Sequence, residues 1–159
     1  MELELSETQS QIKESISKLL QKFDDQYWLE RDETGEFPED FCQAIADNGW
    51  MGIAMPKEYG GSGLGITEAA ILAQTITESG AGNAGFAAIV IGIFGLNPVV
   101  LFGNEEQKRN WLPPIIKRED VACFAVTEPN TGLDTTRLKT RAKWDGEQYI
   151  VSGEKIWTS

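Results

Sequence analysis

Histidine is absent from all 159 residues of this chain. That gap removes an imidazole general base, any serine–histidine–aspartate triad and most zinc sites in one step. Cysteine is scarce. Cys42 and Cys123 stand far apart and form no metal-binding spacing, so both are expected as buried thiols in a reducing compartment. Basic residues are also few: 14 Lys and Arg face 25 Asp and Glu, for a net charge of −11. A nucleic-acid groove needs clustered cations on phosphate, so that class is excluded. The acidity itself reads as solubility. The start, Met1-Glu-Leu-Glu-Leu5, lacks the basic and apolar regions of a signal peptide and the arginines of a transit peptide. A cytoplasmic location is expected, ahead of a mitochondrial matrix. Internal repeats and low-complexity linkers are lacking too.

What is present divides into two kinds of pattern. Residues 1–118 read as an all-α bundle. Ser6 and Gln9 make a capping box, and Ile12, Ile16, Leu19, Leu20 and Phe23 share one helical face. Asp24-Asp25 closes that helix. Tyr27 to Glu36 is charged and reads as a short helix or loop. Pro38 suits a first turn, with Glu39 and Asp40 at the positive end of the dipole, Phe41, Ala44 and Ile45 on the apolar side, and Gly49 as the stop.

Gly60 to Gly65 resembles a dinucleotide loop only superficially. Ile66 stands where the third glycine of G-x-G-x-x-G belongs, and no strand precedes it. A flexible turn before the next helix is the better reading, with Thr67 as its cap. Ser79 to Asn104 carries no charge, and Ala84 to Leu96 is apolar without interruption. A membrane span needs roughly 20 such residues, and Asn97-Pro98 breaks the run earlier. A helix buried on most sides within a bundle is expected. A short helix follows from Pro98, then one starting at Asn104 and Gln107, which Pro113-Pro114 should end or kink.

Residues 119–159 change period. Val121 to Val126, Leu138 to Trp144 and Gln148 to Ser152 suit strands, the last two joined by an Asp145-Gly146 hairpin turn, and Lys155 to Thr158 suits another. The fold class is therefore α+β, a helical bundle followed by the opening strands of a β domain. So few strands with an open edge are marginal alone, and the chain is expected to be part of a longer protein.

Two stretches in this second part carry the chemistry. Phe124-Ala-Val-Thr-Glu-Pro-Asn-Thr-Gly-Leu-Asp134 is an apolar piece running into a turn, where Pro129 fixes φ and Gly132 is free to take φ > 0. The backbone N–H groups of Val126, Thr127, Gly132 and Leu133 and the Thr127 hydroxyl are candidate donors. Lys155-Ile-Trp-Thr-Ser159 adds the Trp157 ring and the hydroxyls of Thr158 and Ser159. Donors at an edge beside an aromatic slab suit a flat heteroaromatic ligand such as a flavin. Taken singly, Trp157 reads as core packing, Thr127 and Ser159 as surface hydroxyls, Glu128 as a solvated or locally paired turn residue, and Asp134 as a turn cap. What reverses those readings is their joint occurrence at the spacing of a known family.

The spacing of T-E-P-x-x-G-x-D and K-x-W-T-S resembles the acyl-CoA dehydrogenases. Upstream, Pro56-Lys-Glu-Tyr-Gly-Gly-Ser-Gly63, Gly103-Asn-Glu-Glu-Gln-Lys108 and Leu112-Pro-Pro-Ile115 are similar to further family elements in the same order. The resemblance covers nearly the whole chain. It implies FAD as cofactor and α,β-dehydrogenation of an acyl-CoA thioester, with a carboxylate removing the α-proton and the flavin taking the β-hydride. It also implies an electron-transfer flavoprotein as acceptor, and a homotetramer whose members continue into a C-terminal helical bundle absent from these residues. Carried over, Phe124, Val126, Thr127, Gly132, Leu133, Trp157, Thr158 and Ser159 contact the cofactor. Leu133 also faces the substrate side, where many relatives have a serine, so its hydroxyl is lost here. Phe124 replaces a frequent tyrosine. The catalytic base is expected beyond Ser159, so these residues alone should bind FAD weakly and not turn over. An acyl-CoA oxidase or flavin monooxygenase on the same scaffold, or a non-catalytic helical scaffold, remain open alternatives.

Overall fold

The computed structural model describes residues 4–158. They form two compact units that divide between Ala122 and Cys123. The first is all-helical. Helix α1, Glu7–Leu20, opens on the expected capping box: Gln9 N–H donates to Ser6 Oγ at 3.2 Å, and Ser6 N–H donates to Gln9 Oε1 at 3.0 Å. Ile12, Ile16, Leu19 and Leu20 fall three to four residues apart and are all buried. The Tyr27–Glu36 stretch is a helix, α2, Asp25–Thr34. Asp24 caps it through its side chain, and Gly35 ends it at φ 72°. Helix α3, Glu39–Asp47, follows Pro38 and buries Phe41, Cys42, Ile45 and Ala46, with Gly49 at φ 77° just past its end. Ala44 lies at the edge of the cluster and is only half-buried.

The remaining helices are α4 (Ile66–Ile76), α5 (Gly82–Phe94), α6 (Asn97–Phe102) and α7 (Glu105–Ile116). Helix α4 packs along α1, and Glu68 ties the two. Its Oε2 accepts from Gly65 N–H at 2.9 Å and its Oε1 from Gln9 Nε2 at 3.0 Å. This carboxylate caps α4 in place of Thr67, which sits inside the first turn. The main core joins Ile16, Phe41, Ile45, Ile53, Leu72, Ile76 and Ile89. At one end Phe23, Tyr27, Trp28 and Phe41 meet edge to face, with centroids 5.0–5.4 Å apart. A second cluster joins Met55, Tyr59, Leu112 and Ile116. Cys42 is fully buried and faces the Ala88 carbonyl. Burial pushes its thiol up to about 11, which keeps it protonated and unreactive.

Further expectations are corrected. The glycine-rich stretch is tied down rather than flexible. Gly60, Gly61, Ser62, Gly63 and Leu64 all donate their N–H groups to carbonyls between Gly52 and Lys57. With Gly65 committed to Glu68, none of these donors is left to cradle a phosphate. The return is so close that a Cβ on Gly61 would stand 2.2 Å from the Met55 carbonyl oxygen.

Helix α5 buries only the stripe Gly85, Ile89 and Ile93, not most of its surface. An apolar run without periodicity shows that burial is possible but not on how many sides. The run Ile66–Phe102 is apolar and long enough by composition to cross a membrane. In the fold it is broken by Gly80 at φ 100°, by Gly82 at φ 54° and before Asn97.

Helix α7 runs through Pro113-Pro114 instead of ending there. Each proline removes one ladder donor. The carbonyls left without it belong to Arg109 and Asn110, on the exposed side. The helix stops at Arg118, φ 60°, where Arg118 N–H reaches Ile115 O at 3.1 Å and Glu119 N–H reaches Pro114 O at 2.8 Å. The Arg118 guanidinium pairs with Glu39.

Among the described residues, Val121 to Val126 joins no ladder, so it is not a strand. Cys123, on this stretch, is exposed rather than buried.

The second unit contains one antiparallel hairpin, β1 (Arg141–Trp144) and β2 (Tyr149–Ser152), with Arg141 opposite Ser152 and Trp144 opposite Tyr149. Both strands are shorter than the sequence suggests, because pairing begins only at Arg141. The turn falls on Asp145-Gly146, with Gly146 at φ 114° and Asp145 Oδ1 accepting from Glu147 and Gln148 N–H at 2.9 Å each. Residues 155–158 form no ladder and are not a strand.

Candidate functional site

The two stretches singled out in the sequence lie side by side in the second unit. Ile156 N–H donates to Thr127 O at 3.0 Å, and Lys155 Nζ donates to Val126 O at 2.8 Å. Residues 126–127 are thus pinned to residues 155–156 through their carbonyls. Among the described residues, the N–H groups of Val126, Thr127, Gly132 and Leu133 and the Thr127 and Thr158 hydroxyls have no hydrogen-bond partner.

Two bulky apolar side chains stand out in water. Trp157 is 83% exposed and Leu133 fully so. Phe124 is about two-fifths exposed. Trp157 is also held at φ 57°, a left-handed conformation unusual for a residue with a Cβ. Gly132, free to take φ > 0, does not do so here. Ser159 lies outside the described residues.

Glu128 is the residue that sequence reasoning misplaced. It is neither solvated nor engaged only with its neighbours: its side chain is buried. Its Oε2 accepts from Lys139 N–H at 2.7 Å, and its Oε1 accepts from Thr140 N–H at 2.8 Å and Lys155 Nζ at 3.1 Å. Its own backbone closes the turn, exchanging two 3.1 Å bonds with Thr131, and Thr131 Oγ1 donates to Arg137 O at 3.2 Å. The Thr140 side chain alongside, the backbone N–H groups of Lys139 and Thr140, and the Lys155 ammonium hold the carboxyl down at about 2. Such a group is ionised at neutral pH and a poor proton acceptor. The signal that could have found it was Lys155, the cation of the second stretch. Asp134 does cap the following turn, accepting from Thr136 N–H at 3.3 Å.

This arrangement is an edge of free donors beside an exposed aromatic, on a turn braced by a buried ion pair. Comparison with known proteins gives it a family. The description "acyl-CoA dehydrogenase, N-terminal domain" matches residues 6–119, and the chain belongs to that family. Among the relatives, a probable acyl-CoA dehydrogenase of Bacillus subtilis is 34% identical over 99% of this chain and 41% of its own length. Mitochondrial isovaleryl-CoA dehydrogenase of Bos taurus is 34% identical over 96% of this chain and 36% of its own. A solved chain described under the electron transferring flavoprotein of Acidaminococcus fermentans superposes with TM-score 0.87 at 30% identity, covering 99% of this chain and 41% of that one. The chain thus spans about two fifths of the length of such relatives. The α+β architecture, a helical domain leading into the start of a β domain, is the one this likeness supports.

Proposed function

We propose that this chain forms the N-terminal helical domain and the first part of the flavin site of a flavin-dependent acyl-CoA dehydrogenase. The observation that carries the reading is the pairing of Thr127 with Ile156, which brings a row of free donors next to the exposed Trp157. These residues fit FAD. Unused N–H groups match a ring edge rich in acceptors, and an aromatic left in water gains by covering a ring face. Val126, Thr127, Gly132 and Leu133 would hold the polar edge, Trp157 the face, and Phe124 and Thr158 the flanks. Bound FAD would supply the two-electron acceptor for the β-hydride of an acyl-CoA thioester.

Within this chain the residues orient and bind; they do not take the α-proton. Glu128, the carboxylate embedded in the motif, is committed to three donors and is too weak a base. The base would come from residues outside this chain. The electrons would pass to an electron-transfer flavoprotein, and the working form would be a homo-oligomer.

The test is to express the protein at its full encoded length, titrate it with FAD and add acyl-CoA thioesters without oxygen. Bleaching of the flavin band by an acyl-CoA, with re-oxidation by an electron-transfer flavoprotein, is the expected result. A protein that takes up no flavin refutes the proposal. Re-oxidation mainly by dioxygen would place it with the oxidases instead.

A further inference from the structure

The Thr127 hydroxyl makes no hydrogen bond among the described residues, and the Leu133 and Trp157 side chains stand exposed. Thr127, Leu133 and Trp157 each depend on the backbone just behind them. That backbone converges on one place. Glu128 follows Thr127 directly, and its carboxylate reaches Lys139 and Thr140 on the approach to β1 and Lys155 two residues before Trp157. Lys155 answers by donating to Val126 O as well as to Glu128. The pair is well shielded, with side-chain exposures of 6% for Glu128 and 24% for Lys155. Three chain segments that are not sequence neighbours therefore share one carboxylate.

We propose that Glu128 and Lys155 are positioning residues for the flavin, holding the Val126–Thr127 donors in register with the Trp157 ring. The inference rests on the cofactor reading above. A glutamine at 128 could satisfy only part of this set. The amide would keep one acceptor oxygen but turn a second N–H donor toward Lys139, Thr140 or Lys155, all of which are donors. Lys155→Met removes the side-chain link to the second segment while leaving the two backbone bonds to Glu128 and the Ile156–Thr127 bond. Lys155→Arg keeps a cation able to reach both acceptors.

The experiment uses the protein at its full encoded length, with FAD as the titrant. Affinity, the shape of the long-wavelength flavin band, the midpoint potential and the melting temperature are read together. Glu128→Gln and Lys155→Met should each weaken FAD binding by about tenfold and alter the band and potential of the flavin that does bind. Lys155→Arg should restore most of both. Should Glu128→Gln fail to fold, the contrast between Lys155→Met and Lys155→Arg decides. Variants that melt earlier yet bind flavin with unchanged affinity, spectrum and potential overturn the positioning role alone. A parent protein that takes up no FAD overturns the cofactor reading, and this inference with it.

Discussion

Replacing Trp157 by glycine separates the two roles that a tryptophan can have at this position. The ring is 83% exposed. A tryptophan carries up to about 250 Å² of surface, so only about 40 Å² is hidden here, worth about 1 kcal/mol at 25 cal/mol per Å². The residue is also held at φ 57°. That conformation costs a residue with a Cβ about 1–2 kcal/mol, which glycine recovers. Glycine gives back about 0.5–1 kcal/mol through the extra freedom of the unfolded chain. These terms nearly cancel, so the fold should change by no more than about 1 kcal/mol. A tryptophan packed in a core would cost about 3–5 kcal/mol. Loss of stacking on a heteroaromatic ring should cost about 1–3 kcal/mol, or roughly fivefold to 150-fold in FAD affinity. Urea unfolding and FAD titration on the same full-length variant read both quantities. A large loss of stability, or FAD affinity equal to that of the parent, refutes the reasoning.

Thr127→Ala should weaken FAD binding by about 1 kcal/mol, the size of one neutral hydrogen bond, and leave the urea midpoint in place; movement of the midpoint alone would make the hydroxyl structural. Leu112→Ala should destabilise the helical unit by about 2–5 kcal/mol, because Leu112 is fully buried against Met55, Tyr59 and Ile116; an unchanged urea midpoint would contradict that packing. Acid should loosen the second unit through Glu128. Its carboxyl is lowered from 4.5 to about 2, so its contribution is whole above pH 4.5 and is lost as pH falls toward 2. Glu128→Gln should flatten that dependence, which acid titration of unfolding would reveal. Alkali should act on Tyr59, which burial and its hydrogen bond to Glu105 raise from 10 to about 12. Its contribution holds below pH 10 and fades as pH rises toward 12, an effect absent from Tyr59→Phe.

The helical unit was legible because its signals are local. Ser6 with Gln9, Asn104 with Gln107 and the spacing from Ile12 to Leu20 each lie within a few turns of the residues they govern, and all three stand in the structure. Where the outcome depended on distant partners, local pattern carried no signal. Thr67 yielded the cap of α4 to Glu68, a carboxylate that also holds Gln9 on another helix. The apolar content of α5 was visible, but a run apolar all round has no phase, and the single buried stripe follows from which helices adjoin it. The strand expected at Val121–Val126 had the right composition, but it joins no ladder among the described residues.

The site shows the same division with more consequence. Phe124 to Asp134 and Lys155 to Trp157 could be picked out from residue types, and the structure sets the two stretches side by side. The role of the charged residue between them could not. A glutamate before a proline reads as a solvated turn because nothing within a few residues claims it. Its partners are 11, 12 and 27 residues away. Once those are in place, the acid most tempting as a base becomes the one least able to serve. A carboxylate that binds its proton only near pH 2 gains almost nothing by accepting one from a thioester α-carbon at neutral pH. The same three bonds that disqualify Glu128 from proton transfer suit it to bracing a site whose working surface lies open to water.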